Sequence, residues 1–340
     1  MGDMSTRRSR RPTIIDVAAR AGVSKSLVSL ALRGDEGVSD ATRARIRQAA
    51  DELGYRSNSL ARALVQGRTG QLGVIVTDLR NPYHTEVALG VETAAEAAGL
   101  GTFLANGRRD PNRLAQHLSA MLSLNMEGIV VVSSRVDYSV LAAAAKEVPV
   151  VVVGRPESTP PGLDSVANED EAGIALAVDH LIELGHRHIA FASSSTRPAA
   201  MARRRGYEAA VGRAGLGRHA AQTIPDGPGR SAAVDVVLRS PVTAIVTNND
   251  LLAIEFLDRA VELGIDVPGR MSIVGYDNTD LAARVRPRLT SVDQRGPALG
   301  ETAVALLLER LAGRSADRHE VLFPTLEIRT STAEPGFLPR

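Results

Sequence analysis

The 340-residue chain carries 40 lysines and arginines against 39 acidic residues and has no cysteine, which excludes disulfides and thiolate metal sites. No stretch of about 18 apolar residues occurs and no apolar leader precedes the first motif, so the chain is expected to be soluble and cytoplasmic, with two or three domains. The net charge of +1 hides an asymmetry: residues 1–69 hold 13 basic against 7 acidic side chains and the remainder 27 against 32, which concentrates positive charge where phosphate contacts would use it.

In chain order, RRSRR at Arg7 to Arg11 reads as a flexible arm adding non-specific attraction, or as a solvated terminus. Thr13 can cap a helix, with Asp16 in capping-box position and Ile14, Val17, Ala18 and Ala21 following at i, i+3, i+4 and i+7. Gly22 stops that helix. Ser24 caps a second, on which Val28 and Leu32 pack back against the first. A third starts at Ser39, presents Thr42, Ile46, Ala49, Ala50 and Leu53 on one face, and ends at Gly54.

Two short helices around a glycine turn form a helix-turn-helix, whose second helix enters the DNA major groove. Lys25, Ser26, Ser29 and Leu30 are its candidates for contact. Lysine addresses guanine acceptors, serine pairs with base edges or phosphate, and an apolar side chain lies against a thymine methyl. The alternatives are a solvated lysine for Lys25 and a core residue for Leu30. After Tyr55, SNSLARAL is an amphipathic piece capped by Asn58 or Ser59 and too short to be helical alone in water.

From Gln71 the apolar runs LGVIV, GTFLA, GIVVVS and PVVVVG alternate with helices near 85–98, 111–124 and 138–146. That is the pattern of a parallel sheet covered on both faces. A second cycle from Asn168 has the strands HIAFAS, TAIVT and MSIVGYD, with helices near 168–184, 201–214, 231–238, 249–263 and 297–311. Ligands of such folds bind at the carboxyl ends of the strands. Asp78, Asn81, Tyr83 and His84 follow the first strand, Ser193 to Arg197 follow HIAFA, Asn248 to Asp250 follow TAIVT, and Asp277 with Asn278 follow MSIVGY. Carboxylates, amides and an arginine converging there suit a ligand with several hydroxyls, each of which needs a partner. Asn249 or Asp250 can instead be a helix cap, Asp277 a turn residue, and Arg204 and Arg205 solvated. Tyr83, Tyr276 and Phe191 are the few rings on which a sugar could stack, Phe191 fitting the core better.

These segments together, TIIDVAARAGVSKSLVS, ELGYRSNSLARAL, NPYHTEVALGVETAAEAAG, ELGHRHIAF, RRRGYEAA, TNNDLLAI, VPGRMSIVGYDN and LTSVDQ in this order, resemble the LacI/GalR family of transcriptional regulators. The resemblance implies an all-α helix-turn-helix head over residues 1–57, a hinge helix and linker over 58–70, and an α/β two-lobed periplasmic-binding-protein-like domain with parallel sheets over 71–340. Lobe one then takes about 71–167 plus 297–330, and lobe two about 168–296. The implied DNA-contacting set is Thr13, Lys25, Ser26, Ser29 and Leu30 with Asn58, Ala61 and Leu64, and Leu64 matches the leucine that wedges between base steps in the minor groove. The resemblance points to Tyr83, His84, Arg203, Asn249 and Asp277 as effector contacts, and Arg197 joins the expected effector set from its strand-end position. Ser57 stands where many members have proline and Leu30 where many have Arg or His, so base preference does not transfer.

The partners expected are a pseudo-palindromic double-stranded operator, a small-molecule effector and a second copy of the chain, with no cofactor, metal or membrane. The leading reading is a nucleoid-associated repressor switched by a sugar or polyol; the alternative is a purine- or nucleoside-responsive co-repressor type. A transporter's solute-binding protein would suit the body but not the basic head. An enzyme would need a phosphate-cradling loop, a nucleophile elbow or a paired-histidine metal motif, none of which is present. His186 and His188 alternate into a strand and so point to opposite faces.

Overall fold

The computed structural model describes residues 12–33, 35–55, 69–216 and 222–336, and the chain divides into a unit up to Thr69 and a unit from Gly70 onward. In the first unit, helix α1 (Ile14–Ala21) opens on the expected capping box. The Thr13 N–H donates to the Asp16 carboxylate at 2.7 Å, and Thr13 Oγ1 receives the Asp16 N–H. Gly22 ends the helix at φ +66, the left-handed conformation that glycine adopts without cost. Ser24 Oγ accepts from the Leu27 N–H at the start of α2 (Lys25–Arg33), and Ser39 caps α3 (Asp40–Leu53). Val17, Val28, Ala31 and Ile46 are fully buried where the three helices meet. Arg43 of α3 donates to the carbonyls of Ala31 and Asp35 at 2.9 and 2.8 Å, which satisfies acceptors near the end of α2 that no intrahelical N–H reaches.

Among the described residues the second unit holds two six-stranded sheets. Lobe one is built from β1 (Gln71–Val76), β2 (Gly101–Asn106), β3 (Gly128–Val132), β4 (Val150–Val153), β5 (Asp164–Asn168) and the late strand β11 (His319–Leu322), in the spatial order β11-β5-β4-β3-β1-β2 with every pairing parallel. Helices α4 (Pro82–Ala97), α5 (Pro111–Ser123), α6 (Tyr138–Ala144) and the late α12 (Gly296–Leu311) cover it. Alternation along each strand feeds two cores. Val74, Val130 and Val151 pack on the face of α4 and α12, while Ile75, Ile129 and Val131 pack on the face of α5 and α6.

Lobe two repeats the plan with β6 (Ile189–Ser193), β7 (Gln222–Thr223), β8 (Ala244–Thr247), β9 (Ser272–Asp277), β10 (Thr290–Asp293) and β12 (Thr325–Glu327), ordered β12-β10-β9-β8-β6-β7. Its helices are α7 (Asp170–Glu183), α8 (Pro198–Arg213), α9 (Arg230–Leu238), α10 (Asp250–Glu262) and the short α11 (Asp280–Arg284).

The chain crosses between lobes three times, after β5, after β10 and after β11. The third crossing corrects the expected boundary. The resemblance implies residues up to about 330 in lobe one, but Thr325–Glu327 pairs antiparallel with Ser291–Asp293 in lobe two. Beyond it Ser331 Oγ donates to the Ile273 carbonyl at 2.6 Å and accepts the Thr290 N–H at 2.8 Å. The physical reason is that the lobe-two sheet edge has backbone groups to pair, and in the alternating segment after Leu322 the Leu326 side chain packs on the lobe-two core while Thr325 and Glu327 stay exposed.

Two local features hold lobe one together. Asp164 on β5 has no exposed surface and takes hydrogen bonds from Arg310 and Arg314 at 2.6 Å each and from the Arg318 N–H at 2.8 Å. Burial alone would raise its carboxyl; these donors outweigh it and hold it at about 2. Where α4 meets α12, the backbones approach so closely that a Cβ at Gly300 would lie 2.3 Å from the Val87 carbonyl oxygen.

Candidate nucleic-acid interface and ligand cleft

On the head, Lys25 and Ser26 are exposed at the start of α2, and Ser29 and Leu30 are half-buried one turn further on. Leu27 and Leu32 pack against the head core, whereas Leu30 does not join it, so the apolar side chain that the sequence left open stands beside the polar three. Thr13 holds the capping box, its hydroxyl donating to Asp16 at 2.7 Å. Asn58, Ala61 and Leu64 lie outside the described residues.

In the second unit the carboxyl ends of both sheets open into a cavity of ≈ 510 Å³. Tyr83, His84, Arg197, Arg203, Asn249 and Asp277 all line it, so all six expected effector residues fall in one place. Each is held by its own local chemistry. Asn81 caps α4 by accepting the Tyr83 N–H, which sets Tyr83 and His84 in the first turn. His84 Nδ1 lies 2.8 Å from the Asp78 carbonyl oxygen, which only accepts, so that nitrogen carries the proton; burial lowers the imidazole's pKa and keeps the ring neutral. Asn249 caps α10 through the Leu252 N–H at 2.9 Å, so the capping alternative and the cleft position hold for the same residue. Asp277 ends β9 at φ +115, a backbone conformation L side chains rarely adopt.

At the floor, Arg203 is almost fully buried. Its Nε donates to Asp170 Oδ1 at 2.9 Å, Nη1 donates to the Asn248 carbonyl and lies 3.9 Å from Asp277, and the guanidinium stacks 3.7 Å above the Tyr276 ring. That occupies the face on which Tyr276 was a candidate for sugar stacking, and Phe191 is wholly buried against Tyr207. Tyr83 alone of the three rings lines the cavity. Asp277 accepts a hydrogen bond from Gln294, whose Oε1 accepts from Asn168 Nδ2 at 3.1 Å. Burial drives the Asp277 carboxyl well above its ordinary pKa, Arg203 opposes the rise, and Asp250 adds to it. Two buried polar atoms in this wall, Asn168 Oδ1 and Arg155 Nε, have no hydrogen-bond partner among the described residues.

Asp250, Ser193, Thr196 and Asn278 were expected at the cleft but do not line it. Asp250 is buried behind it, accepting from the Thr279 backbone and hydroxyl at 2.7 and 2.9 Å and from Ser291. Arg109, Arg135, Arg155, Asn168, Asp170 and Gln294 do line it and were missed. The strand-end rule that found Asp78 reaches Arg135 and Arg155 too, because they follow GIVVVS and PVVVVG. Asn168 ends, and Gln294 follows, a strand too polar to be recognised from its sequence. His186 is a satisfied core residue, bonded to Thr243 at 2.8 Å and to the Ala333 carbonyl at 2.9 Å.

A three-helix head with an exposed recognition face, followed by two α/β lobes around a polar cleft, defines a ligand-sensing DNA-binding regulator, and the comparisons with known proteins agree. Residues 13–58 match the family model of bacterial regulatory proteins, lacI family, and residues 178–332 that of the periplasmic binding protein-like domain. The HTH-type transcriptional repressor PurR of Aliivibrio fischeri (strain MJ11) is 33% identical over 319 residues, 90% of this chain and 94% of that protein. The transcriptional regulator CelR in complex with cellobiose matches with TM-score 0.68 and 28% identity over 94% of this chain and 100% of that one. The lac repressor dimer bound to operator and the anti-inducer ONPF matches in fold with TM-score 0.84 at 24% identity, covering 95% and 100%. The chain belongs to the lacI family of bacterial regulatory proteins and is a DNA-binding transcriptional regulator.

Proposed function

We propose that the chain is a dimeric, sequence-specific repressor, working at the nucleoid, whose operator affinity is set by a sugar or polyol bound in the cleft. The observation that carries this reading is the Asp277–Gln294–Asn168 chain of hydrogen bonds with its buried, unpartnered Asn168 Oδ1. Asn168 ends β5 and Gln294 follows β10, so the two side chains sit on two of the three crossings between lobes. A hydroxyl donated to Asn168 Oδ1 would satisfy a buried acceptor that costs about 1–3 kcal/mol unpaired, and would do so at the hinge. A ligand there favours one relative orientation of the lobes, and in a dimer that orientation sets the spacing of the paired segments that precede them. CelR in its cellobiose complex supports the sugar reading by likeness.

The polar lining favours a hydroxyl-rich ligand over a flat base, since Tyr83 and His84 are the aromatic rings lining the cleft among the described residues. The purine or nucleoside reading survives only as a ligand stacked on Tyr83. No step of this reading requires catalysis, and the lining residues serve recognition.

The test is selection of duplexes from a random pool by the full-length chain. Enrichment of a pseudo-palindrome with half-sites about one helical turn apart is expected; enrichment of an asymmetric site, or of none, would contradict the dimeric operator reading.

A further inference from the structure

We infer that the ligand of this cleft is a phosphorylated, polyhydroxylated metabolite of the sugar-phosphate class, with its phosphate held between Arg109, Arg135 and Arg197. The inference rests on the reading of the cleft as the effector site and names the ligand's charge.

Among the described residues the cavity is lined by seven arginines and four aspartates. Three of the arginines are committed within the protein: Arg203 to Asp170 at 2.9 Å, Arg230 to Glu255 at 2.6 Å and Arg80 to Asp78 at 2.9 Å. Arg155 donates to the Asn168 carbonyl at 3.3 Å and lies 3.6 Å from Asp170, and the last three are poorly matched. Among the described residues Arg109 reaches Asp226 at 3.4 Å and Asp78 at 3.9 Å, and Arg197 reaches the largely exposed Glu157 at 3.9 Å. Arg135, half-buried after β3, has no carboxylate within ion-pair distance and no side-chain hydrogen bond among the described residues. The charged form of Arg135 is disfavoured by burial and then by Arg197 and Arg109, with Asp226 opposing them. Arg109, Arg135 and Arg197 all line the same cavity. They come from three strand ends, two in lobe one and one in lobe two.

The same end of the cavity receives the N-terminus of α8. That helix begins at Pro198 with no side-chain cap, and Ala199 and Ala200 of its first turn line the cleft. Unsatisfied N–H groups and the positive end of the helix dipole add to the field of the arginines.

Like charges gathered in a partly desolvated site are unfavourable until an anion enters. A phosphate monoester brings close to two negative charges and three peripheral oxygens, which three guanidiniums can address together. A carboxylate, with one charge and two oxygens, leaves a guanidinium unmatched. Asn168, Gln294, Asn249 and Asp277 offer the acceptors and amides that hydroxyls need, so one molecule carrying both groups fits the cavity.

The experiment is calorimetric titration of the full-length chain with matched pairs of monosaccharides and their phosphate esters, with inorganic phosphate as the minimal competing probe. The binding ester is expected to bind at least ~10-fold tighter than its parent sugar, as one or more charge-assisted hydrogen bonds imply, and to be displaced by inorganic phosphate. R135Q is expected to bring the ester's affinity down to the parent's, and R135K to restore part of it, with the parent's affinity unchanged in both. Parent sugars binding as tightly as their esters, or R135Q weakening both equally, would overturn the anionic assignment and leave the effector cleft standing. No binding by any member of the panel would overturn both.

Discussion

Arg203 Nε donates to Asp170 Oδ1 across 2.9 Å with both side chains buried, and this bond ties α8 to the first residue of α7, where the chain has just entered lobe two. The same guanidinium holds the Asn248 carbonyl beneath the cleft. Arg203 is therefore a structural post of lobe two as well as a lining residue. R203A leaves the buried Asp170 without its partner and is expected to cost about 3–5 kcal/mol in denaturant unfolding. A loss below about 1 kcal/mol would show that Asp170 is satisfied without it. D170N combined with R203A is expected to cost much less than the sum of the two single changes, because each alone strands the other's charge.

Asn249 separates recognition from stability more cleanly. N249A removes the cap of α10, worth about 0.5–2 kcal/mol, and an amide that faces the cavity. Ligand affinity in titration is expected to fall by more than the stability loss explains. Unchanged affinity would leave Asn249 as a cap alone.

Gly300 tests how close α4 and α12 lie. G300A places its methyl 2.3 Å from the Val87 carbonyl oxygen, and backbone atoms cannot move aside as a flexible side chain would. A destabilisation of about 1–3 kcal/mol is expected, read as a lower melting temperature of the regulatory unit. An unchanged melting temperature would place the helices further apart than they stand here.

Asp164 and Asp250 push the pH dependence in opposite directions. Asp164, held at about 2 against its ordinary 3.8, stabilises the fold fully above the ordinary value, and that stabilisation is lost as the pH falls toward 2. Asp250, pushed up to about 6 by burial, contributes most below its ordinary value and loses its contribution as the pH rises through 6. Unfolding free energy measured across the acid range is expected to drop steeply below 3.8 in the native chain and to flatten there in D164N. Identical acid limbs in the two proteins would show that the arginine cluster around Asp164 is not the source.

By the family resemblance we propose Leu64 as the minor-groove wedge. L64A is expected to weaken specific operator binding far more than non-specific binding, since only the specific complex inserts the side chain. Equal losses on both duplexes would remove the wedge from the account.

The parts of the fold that could be read from sequence are those with local causes. The head declares itself through Thr13, Ser24 and Ser39 as caps and Gly22 and Gly54 as stops, and all five take those positions. The valine runs announce the buried strands. What stayed hidden depends on long-range pairing. β5 and β10 lack the apolar runs that announce the other strands: DSVAN and TSVD are buried by register, and Asp164 is neutralised by distant residues, Arg310 and Arg314, from α12 and just beyond it. The hydrogen bond from Asn168 to Gln294 spans 126 residues of chain, and no local periodicity encodes it. The expectation that the final strands all return to lobe one failed for the same reason, because the antiparallel pairing of Thr325–Glu327 with Ser291–Asp293 is set by an open sheet edge.

The central claim is that ligand in the cleft controls the grip of the head on DNA. It is tested most directly by fluorescence anisotropy on the selected operator duplex, with and without the ligand found by titration, using the native chain and D277N. The native chain is predicted to change operator affinity by at least about fivefold when ligand saturates the cleft, the low end of ordinary coupling energies, while D277N binds operator as before and fails to respond. Operator affinity unchanged by saturating ligand in the native chain would contradict the account.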